Sequence, residues 1–222
     1  MSHVITATYQ ANSNIGLFCY ANDKYCLVPH AFPEKLKKQF VEVLKVPVHE
    51  VNAAGTNLLG VFFNGNDDCL LVPEIMFDSE LQVLKELKIN FKVVKSELTA
   101  LGNNLLVSKN MVIASSEYSE SVLKELEKDL KIPVKKGKIG GFDIVGSLAK
   151  GNSKGILVSP DILEFEKKFL YDNLKLNITP GSVNFGSPYV SSGVVCNSFG
   201  FVIGESSGGP EIQNADEALG FM

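Results

Sequence analysis

Lys45-Val46-Pro47-Val48, Lys88-Ile89-Asn90-Phe91, Lys131-Ile132-Pro133-Val134 and Lys175-Leu176-Asn177-Ile178 are four copies of one pattern. Each reads lysine, apolar, proline or asparagine, apolar, and successive copies lie 43, 43 and 44 residues apart. The lysine suits the negative end of a helix, and the proline or asparagine stops that helix before a strand. The copies therefore mark four helix ends in a repeated unit of about 44 residues.

Upstream of each copy lies an amphipathic helix. Leu36, Phe40 and Leu44 share a face in the first, Leu81, Leu84 and Leu87 in the second, and Leu123, Leu126 and Leu130 in the third. The fourth offers Leu163, Leu170 and Leu174, with Ile162, Phe165 and Phe169 alongside. These three- and four-residue steps are those of a helix covering a core. Asp78, Ser119 and the run Ser159-Pro160-Asp161 supply expected helix starts. Before each helix comes a short apolar strand that ends at Pro29, Pro73, Ser115 or Pro160, and a fifth such strand ends at Glu205. Those five ends are 44, 42, 45 and 45 residues apart. Gly- or Asn-rich junctions follow the helices: Gly55-Thr56-Asn57, Gly102-Asn103-Asn104, Gly146-Ser147 and Ser192-Gly193. The unit is strand, turn, strand, helix, strand.

The fifth copy has its first strands and a short helix near Glu211–Leu219, but no final strand before Met222. A matching strand, His3-Val4-Ile5-Thr6-Ala7, stands at the other end of the chain. Ring closure through that strand leaves no terminal unit with a bare core face. The expected fold is a single domain, a five-fold pseudosymmetric α/β propeller closed by the N-terminal strand. Its units run 14–56, 57–102, 103–146, 147–193 and 194–222, the last completed by 1–13. An open doubly wound sheet would have one strand per helix, whereas three are read here.

All 21 basic residues are lysines, and the net charge is −4. Without the arginine fork and without a basic patch, a surface devoted to gripping nucleic acid is not expected. Lys135, Lys136 and Lys138 read as a solvated edge. The N-terminus lacks the charged head and apolar run of a signal peptide, and the uncharged stretch from Leu176 to Gly204 is too rich in Gly, Ser, Asn and Pro to cross a membrane. Cys19, Cys26, Cys69 and Cys196 show no metal-ligand spacing. A reducing, cytoplasmic setting fits them.

No catalytic grouping emerges. His3, His30 and His49 sit in no metal or triad motif. Cys196 is the one candidate nucleophile, but Val194-Val195-Cys196-Asn197 repeats the pattern of Leu17-Phe18-Cys19-Tyr20, which favours packing. The segments 137–141 and 206–210 are glycine-rich without a phosphate-loop pattern, and Asp67-Asp68 reads as a hairpin tip. No cofactor or metal is expected.

Several runs resemble the translation initiation factor 6 family: Asn14-Ile15-Gly16-Leu17-Phe18, Lys24-Tyr25-Cys26-Leu27-Val28, Cys69-Leu70-Leu71-Val72-Pro73 and Leu98-Thr99-Ala100-Leu101-Gly102-Asn103. Val145-Gly146-Ser147, Gly155-Ile156-Leu157-Val158-Ser159-Pro160 and Gly181-Ser182-Val183-Asn184-Phe185-Gly186-Ser187 extend the resemblance through all five units. The length is similar to that of the archaeal form, which lacks the added tail of the eukaryotic one. The resemblance implies a pentein ring and a monomeric cytoplasmic factor that binds the large ribosomal subunit and blocks joining of the small one. It implies contact chiefly with a ribosomal protein, with ribosomal RNA of the sarcin–ricin region nearby, and no membrane. Asn14, Gly60, Gly102, Asn103, Asn104, Ser147 and Gly193 are the expected ribosome-binding rim; the same Gly and Asn residues would also suit positive φ at unit junctions. The family's basic residue after the second junction glycine is Val61 here, so that contact does not carry over. The rival is an amidino-group hydrolase or transferase, which shares the fold and needs a reactive cysteine, a histidine and acidic residues in the central cavity. A scaffold for another protein is the third reading.

Overall fold

A computed structural model describes residues 3–222; Met1 and Ser2, at the start of the segment given to the fifth unit, lie outside the described residues. The chain opens with β1 (Val4–Ala7). The first unit has α1 (Ile15–Phe18), β2 (Tyr20–Ala21), β3 (Cys26–Val28), α2 (Glu34–Leu44) and β4 (Val48–Glu50). The second has α3 (Leu59–Phe62), β5 (Asn64–Gly65), β6 (Leu70–Pro73), α4 (Asp78–Glu86) and β7 (Phe91–Val94). The third has α5 (Leu101–Asn104), β8 (Leu105–Val107), β9 (Val112–Ser115), α6 (Glu120–Leu130) and β10 (Val134–Gly137). In the fourth a plain turn at 145–147 replaces the one-turn helix, followed by β11 (Ala149–Gly151), β12 (Gly155–Val158), α7 (Glu164–Leu174) and β13 (Asn177–Pro180). The fifth has α8 (Val190–Gly193), β14 (Val194–Cys196), β15 (Phe201–Gly204) and α9 (Gly209–Ala218).

Each unit is a three-stranded sheet around a fully buried central strand: β3, β6, β9, β12 or β15. One neighbour is antiparallel, joined by a hairpin, and the other is parallel, reached through the long helix. In the fifth sheet the parallel partner is β1, with Val4 opposite Phe201 and Ala7 opposite Gly204. The missing strand is therefore supplied by the N-terminus, and the doubly wound alternative is excluded. Five apolar clusters fill the wedges between consecutive sheets. The first joins Val195 and Val202 of the fifth sheet to Phe40 and Leu44 of α2, so the series is circular. This is the pseudosymmetric α/β propeller.

Hydrogen bonding fixes the period more sharply than composition does. Leu27, Leu71, Ile113, Leu157 and Val202 hold equivalent register positions. Two residues on, the equivalent strand ends are Pro29, Pro73, Ser115, Ser159 and Gly204, so the ends expected at Pro160 and Glu205 each lie one residue too far along. Two expected helix starts also move. Asp78 lies just inside α4, whose N-cap is Phe77, and α7 begins at Glu164 after Leu163 rather than at Ser159-Pro160-Asp161. The cause is a glutamate at the third helical position that reaches back to the N-cap N–H. Ser159 instead makes a turn, its Oγ accepting from the Asp161 N–H at 3.2 Å. Ser119 does cap α6. Leu163 and Phe165 are exposed rather than core-facing, because the shifted start turns them outward.

The same glutamates tie units together. Glu166 accepts from the N–H groups of Leu163 (3.0 Å), Gly140 (2.6 Å) and Gly141 (2.9 Å). Glu80 accepts likewise from Phe77, Ala54 and Gly55. Glu211 accepts from Gly208, Phe185 and Gly186, and from the Ser182 hydroxyl. Each carboxylate caps a helix and holds the turn of the preceding unit. At the opposite end four helices close on left-handed lysines, Lys45, Lys88, Lys131 and Lys175, with φ of 53°, 57°, 58° and 57°. All five long helices run the same way, so acidic first turns gather on one side of the ring and lysine caps on the other.

Two outcomes are expected. Replacing Glu166 by Ala should cost about 1.5–3 kcal/mol in urea unfolding, because three backbone donors lose a charged acceptor. Burial works to raise the Glu211 carboxyl, but its N–H and O–H donors prevail and hold it below the usual carboxylate value. Its contribution is thus present above the unfolded pKa of about 4.3 and fades as pH falls; in Glu211→Gln that part of the acid loss should disappear from melting temperatures measured across the acid range.

Candidate functional site

The one-turn helices α1, α3, α5 and α8 and the turn at 145–147 surround the pseudo-five-fold axis. Glycine is the second residue in four of them: Gly16, Gly60, Gly102 and Gly146. A methyl group on Gly60 would collide with the Gly16 carbonyl, one on Gly102 with the Gly60 carbonyl, and one on Gly146 with the Gly102 carbonyl. One on Gly16 would strike the Ser191 carbonyl. The glycines are required by this close backbone approach and not by positive φ, which none of the four adopts. The fifth equivalent is Ser191, not Gly193, and its N–H donates to the Ser147 carbonyl at 3.1 Å. Gly193 instead packs, buried, against Val183 and Asn184.

The seven expected rim residues thus share one ring of turns but occupy different positions within it. Gly60 is half-buried, whereas Gly102 and Gly193 are buried. Asn104 is buried, with its amide donating to the Ala100 carbonyl at 3.0 Å. Asn14 bridges the seam between the fifth and first units, its Oδ1 accepting from Asn184 Nδ2 and Ser192 Oγ, each at 3.1 Å. Asn103 and Ser147 are half-buried, and their side chains have no hydrogen-bond partner among the described residues. The Asn103 carbonyl does the joining work below, accepting from the N–H groups of Gly146 (2.9 Å) and Ser147 (3.2 Å). Beside the Asn14 seam, Phe185 is 90% exposed and Tyr189 is 49% exposed. Neither is among the expected rim residues, since nothing in the uncharged stretch around them marks an aromatic as exposed. The turn glycine in Asn184-Phe185-Gly186 is the signal that points to the exposure.

Behind the turns a cavity of about 490 Å³ follows the axis toward the hairpin tips. Its lining includes Asp23, Asp67, Lys109, Lys150 and Cys196, but no histidine. Cys196 aligns with Ala21, while Cys19 aligns with Val194, so the two cysteines are not equivalent as their neighbours suggest. Packing is nevertheless the role of both, because all four cysteines are buried. Burial pushes the Cys196 thiol up to about 11, and its Sγ donates to the Gly151 carbonyl at 3.3 Å. His3 is engaged with Asp216 at 2.7 Å and His30 lies 3.8 Å from Glu50. A protonated thiol without a base is no nucleophile. Lys135, Lys136 and Lys138 line the edge strand and its exit, bonded to Asn173, Glu120 and Asp143. Among the described residues no helix is long and apolar enough to cross a membrane.

Replacing Gly102 by Ala should therefore cost about 1–3 kcal/mol or more, since the obstacle is backbone, whereas Asn103→Ala should stay within about 0.5 kcal/mol. Equal losses in chemical denaturation would contradict this division.

The model of the eIF-6 family matches residues 4–218. The chain is 34% identical over 226 residues to a "Translation initiation factor 6" of Thermococcus onnurineus, covering 99% of each. It is 35% identical over 210 residues to one of Saccharolobus islandicus, covering 93% of this chain and 94% of the other. A third, from Staphylothermus marinus, is 35% identical over 213 residues, covering 94% of each. With the ring, its turn-lined rim and these full-length matches together, the chain belongs to the eIF-6 family.

Proposed function

We infer that the chain is a non-catalytic translation factor that binds the large ribosomal subunit and sterically prevents its joining to the small one. Family membership across residues 4–218 is the observation that carries this reading. The charge layout supports the manner of docking. Glu34, Asp78, Glu120 and Glu164 stand in first turns on the rim side, together with the capping glutamates. An acidic rim favours encounter and register with a basic partner, and a basic ribosomal protein fits, with ribosomal RNA of the sarcin–ricin region at the margin. Asn103 and Ser147 offer free polar side chains to such a contact, and Asn14, Gly60, Gly102, Asn104 and Gly193 shape the surface around them. The factor acts in the cytoplasm as a monomeric single domain. Occlusion needs a rigid body in the right place and no chemistry.

Sucrose-gradient sedimentation with purified subunits tests this. The protein should travel with the large subunit and reduce joined ribosomes, less so as salt rises. If it stays at the top of the gradient at both low and moderate salt, the reading is wrong. Asn103→Glu should weaken co-sedimentation by about tenfold or more without unfolding the ring; unchanged binding would remove Asn103 from the interface.

A further inference from the structure

At the hairpin tips, opposite the rim, an asparagine recurs: Asn22, Asn66, Asn152 and Asn197. Each Oδ1 accepts N–H groups of its own hairpin. Each Nδ2 reaches into the next unit. Asn197 donates to the Asn22 carbonyl (3.1 Å) and to the carbonyl of Leu44 at the end of α2 (2.7 Å). Asn152 donates to the carbonyls of Asn197 (3.0 Å) and Leu219 (3.1 Å). Asn66 donates to the Leu130 carbonyl (3.1 Å), and Asn22 to the Asn66 carbonyl (3.3 Å). The third unit has Ser108 at this position. Its Oγ serves its own hairpin, accepting from the Met111 N–H at 3.2 Å and donating to the Met111 carbonyl at 2.8 Å. Among the described residues it sends no bond to the fourth unit. A second layer bridges three joints, Ser153 meeting Ser198, Ser198 meeting Asp23 and Asp23 meeting Asp67, and is open on both sides of Lys109, which among the described residues bonds neither Asp67 nor Ser153.

Four of the five joints thus carry an asparagine staple at the tips and one does not, its side-chain bond there being the exposed one from Lys135 to Asn173 at 2.7 Å. At the rim this joint is held, because the Asn103 carbonyl accepts from both Gly146 and Ser147 across it; the next joint has the equivalent bond from Ser191 to the Ser147 carbonyl as well as its asparagine staple. We propose that the joint between the third and fourth units is a hinge, pivoting on the Asn103 carbonyl and opening at Ser108. A partner that grips Asn103 and Ser147 together would hold the two sides of the pivot and shift the ring toward its closed form. This last step rests on the functional reading above; the hinge itself does not.

Hydrogen exchange by mass spectrometry of the free protein comes first. Of the equivalent hairpins 19–27, 63–71, 105–113, 149–157 and 194–202, the third should exchange fastest, by about tenfold, the worth of one or two hydrogen bonds. Ser108→Asn should slow exchange in both 105–113 and 149–157. Even protection across the five hairpins, or slowing by Ser108→Asn confined to 105–113, would overturn the hinge. The same measurement on protein bound to purified large subunits should slow exchange in 105–113. A complex that forms without this slowing would overturn the coupling and leave the hinge, while failure to form any complex would count against the functional reading alone.

Discussion

Val4–Ala7 lies beside Phe201–Gly204 although nearly the whole chain separates them. That parallel pairing is the contact on which the ring depends. Without it the fifth sheet keeps two strands, β15 shows an open edge, and the wedge holding Val195, Val202, Phe40 and Leu44 loses one wall. Closing so long a loop is entropically costly only as the logarithm of its length, so the half-buried Val4 and Ile5 and the buried Ala7, laid against the fully buried β15, offset it. Around the seam the fit is tightened by His3, hydrogen-bonded to Asp216 and stacked on Phe221 at 5.0 Å. Closure also turns five local cores into one circuit, in which each sheet is a wall for two clusters. A unit of this ring has no stable form of its own to fall back on.

A closed circuit of five wedges has a crowded centre, and the crowding accounts for the glycines. The turn of one unit lies against the carbonyl of the preceding turn, and a side chain there has nowhere to go. The fifth unit departs from the rule with Ser191, although its N–H bonds the Ser147 carbonyl just as the Gly146 N–H bonds that of Asn103. Distance from the axis then sorts the constraints. At the centre the residue type is dictated, in the hairpins asparagine is preferred, and at the outer turns composition drifts from Gln10-Ala11 to Gly140-Gly141.

This sorting explains what can be read from sequence alone. Strand cores and helix ends recur because burial and chain reversal demand the same residue classes each time, so the period, the five units and the N-terminal closure are legible. Exact register is not. Pro160 and Glu205 stand beside the true strand ends, and Ser159-Pro160-Asp161 imitates a helix start that Glu166 moves onward through bonds to a turn in another unit. The site is legible as a ring of turns but not as individual contacts. Gly193 resembles its glycine counterparts in sequence, yet the carbonyl that defines the position faces Ser191. Phe185, whose φ of 66° puts it on an exposed turn tip, carries no sign of this in its own residue type.

Under the proposed function, recognition falls where geometry leaves a choice. Behind the four dictated glycines and Ser191, the third residue of the turn is half-buried and differs from unit to unit: Leu17, Val61, Asn103, Ser147 and Ser192. Two apolar residues are followed around the ring by three polar ones. The polar arc spans the third to fifth units, and its end meets Asn14, Phe185 and Tyr189 at the seam. A five-fold scaffold would present five equal rims, and a partner could then dock in five registers. Breaking the symmetry at this one position gives the rim a single orientation at no cost to the centre. The cavity side carries the opposite emphasis, with its polar side chains largely spent on staples between hairpins. A ring built this way is suited to being held in one place, which is what a factor acting by occlusion requires.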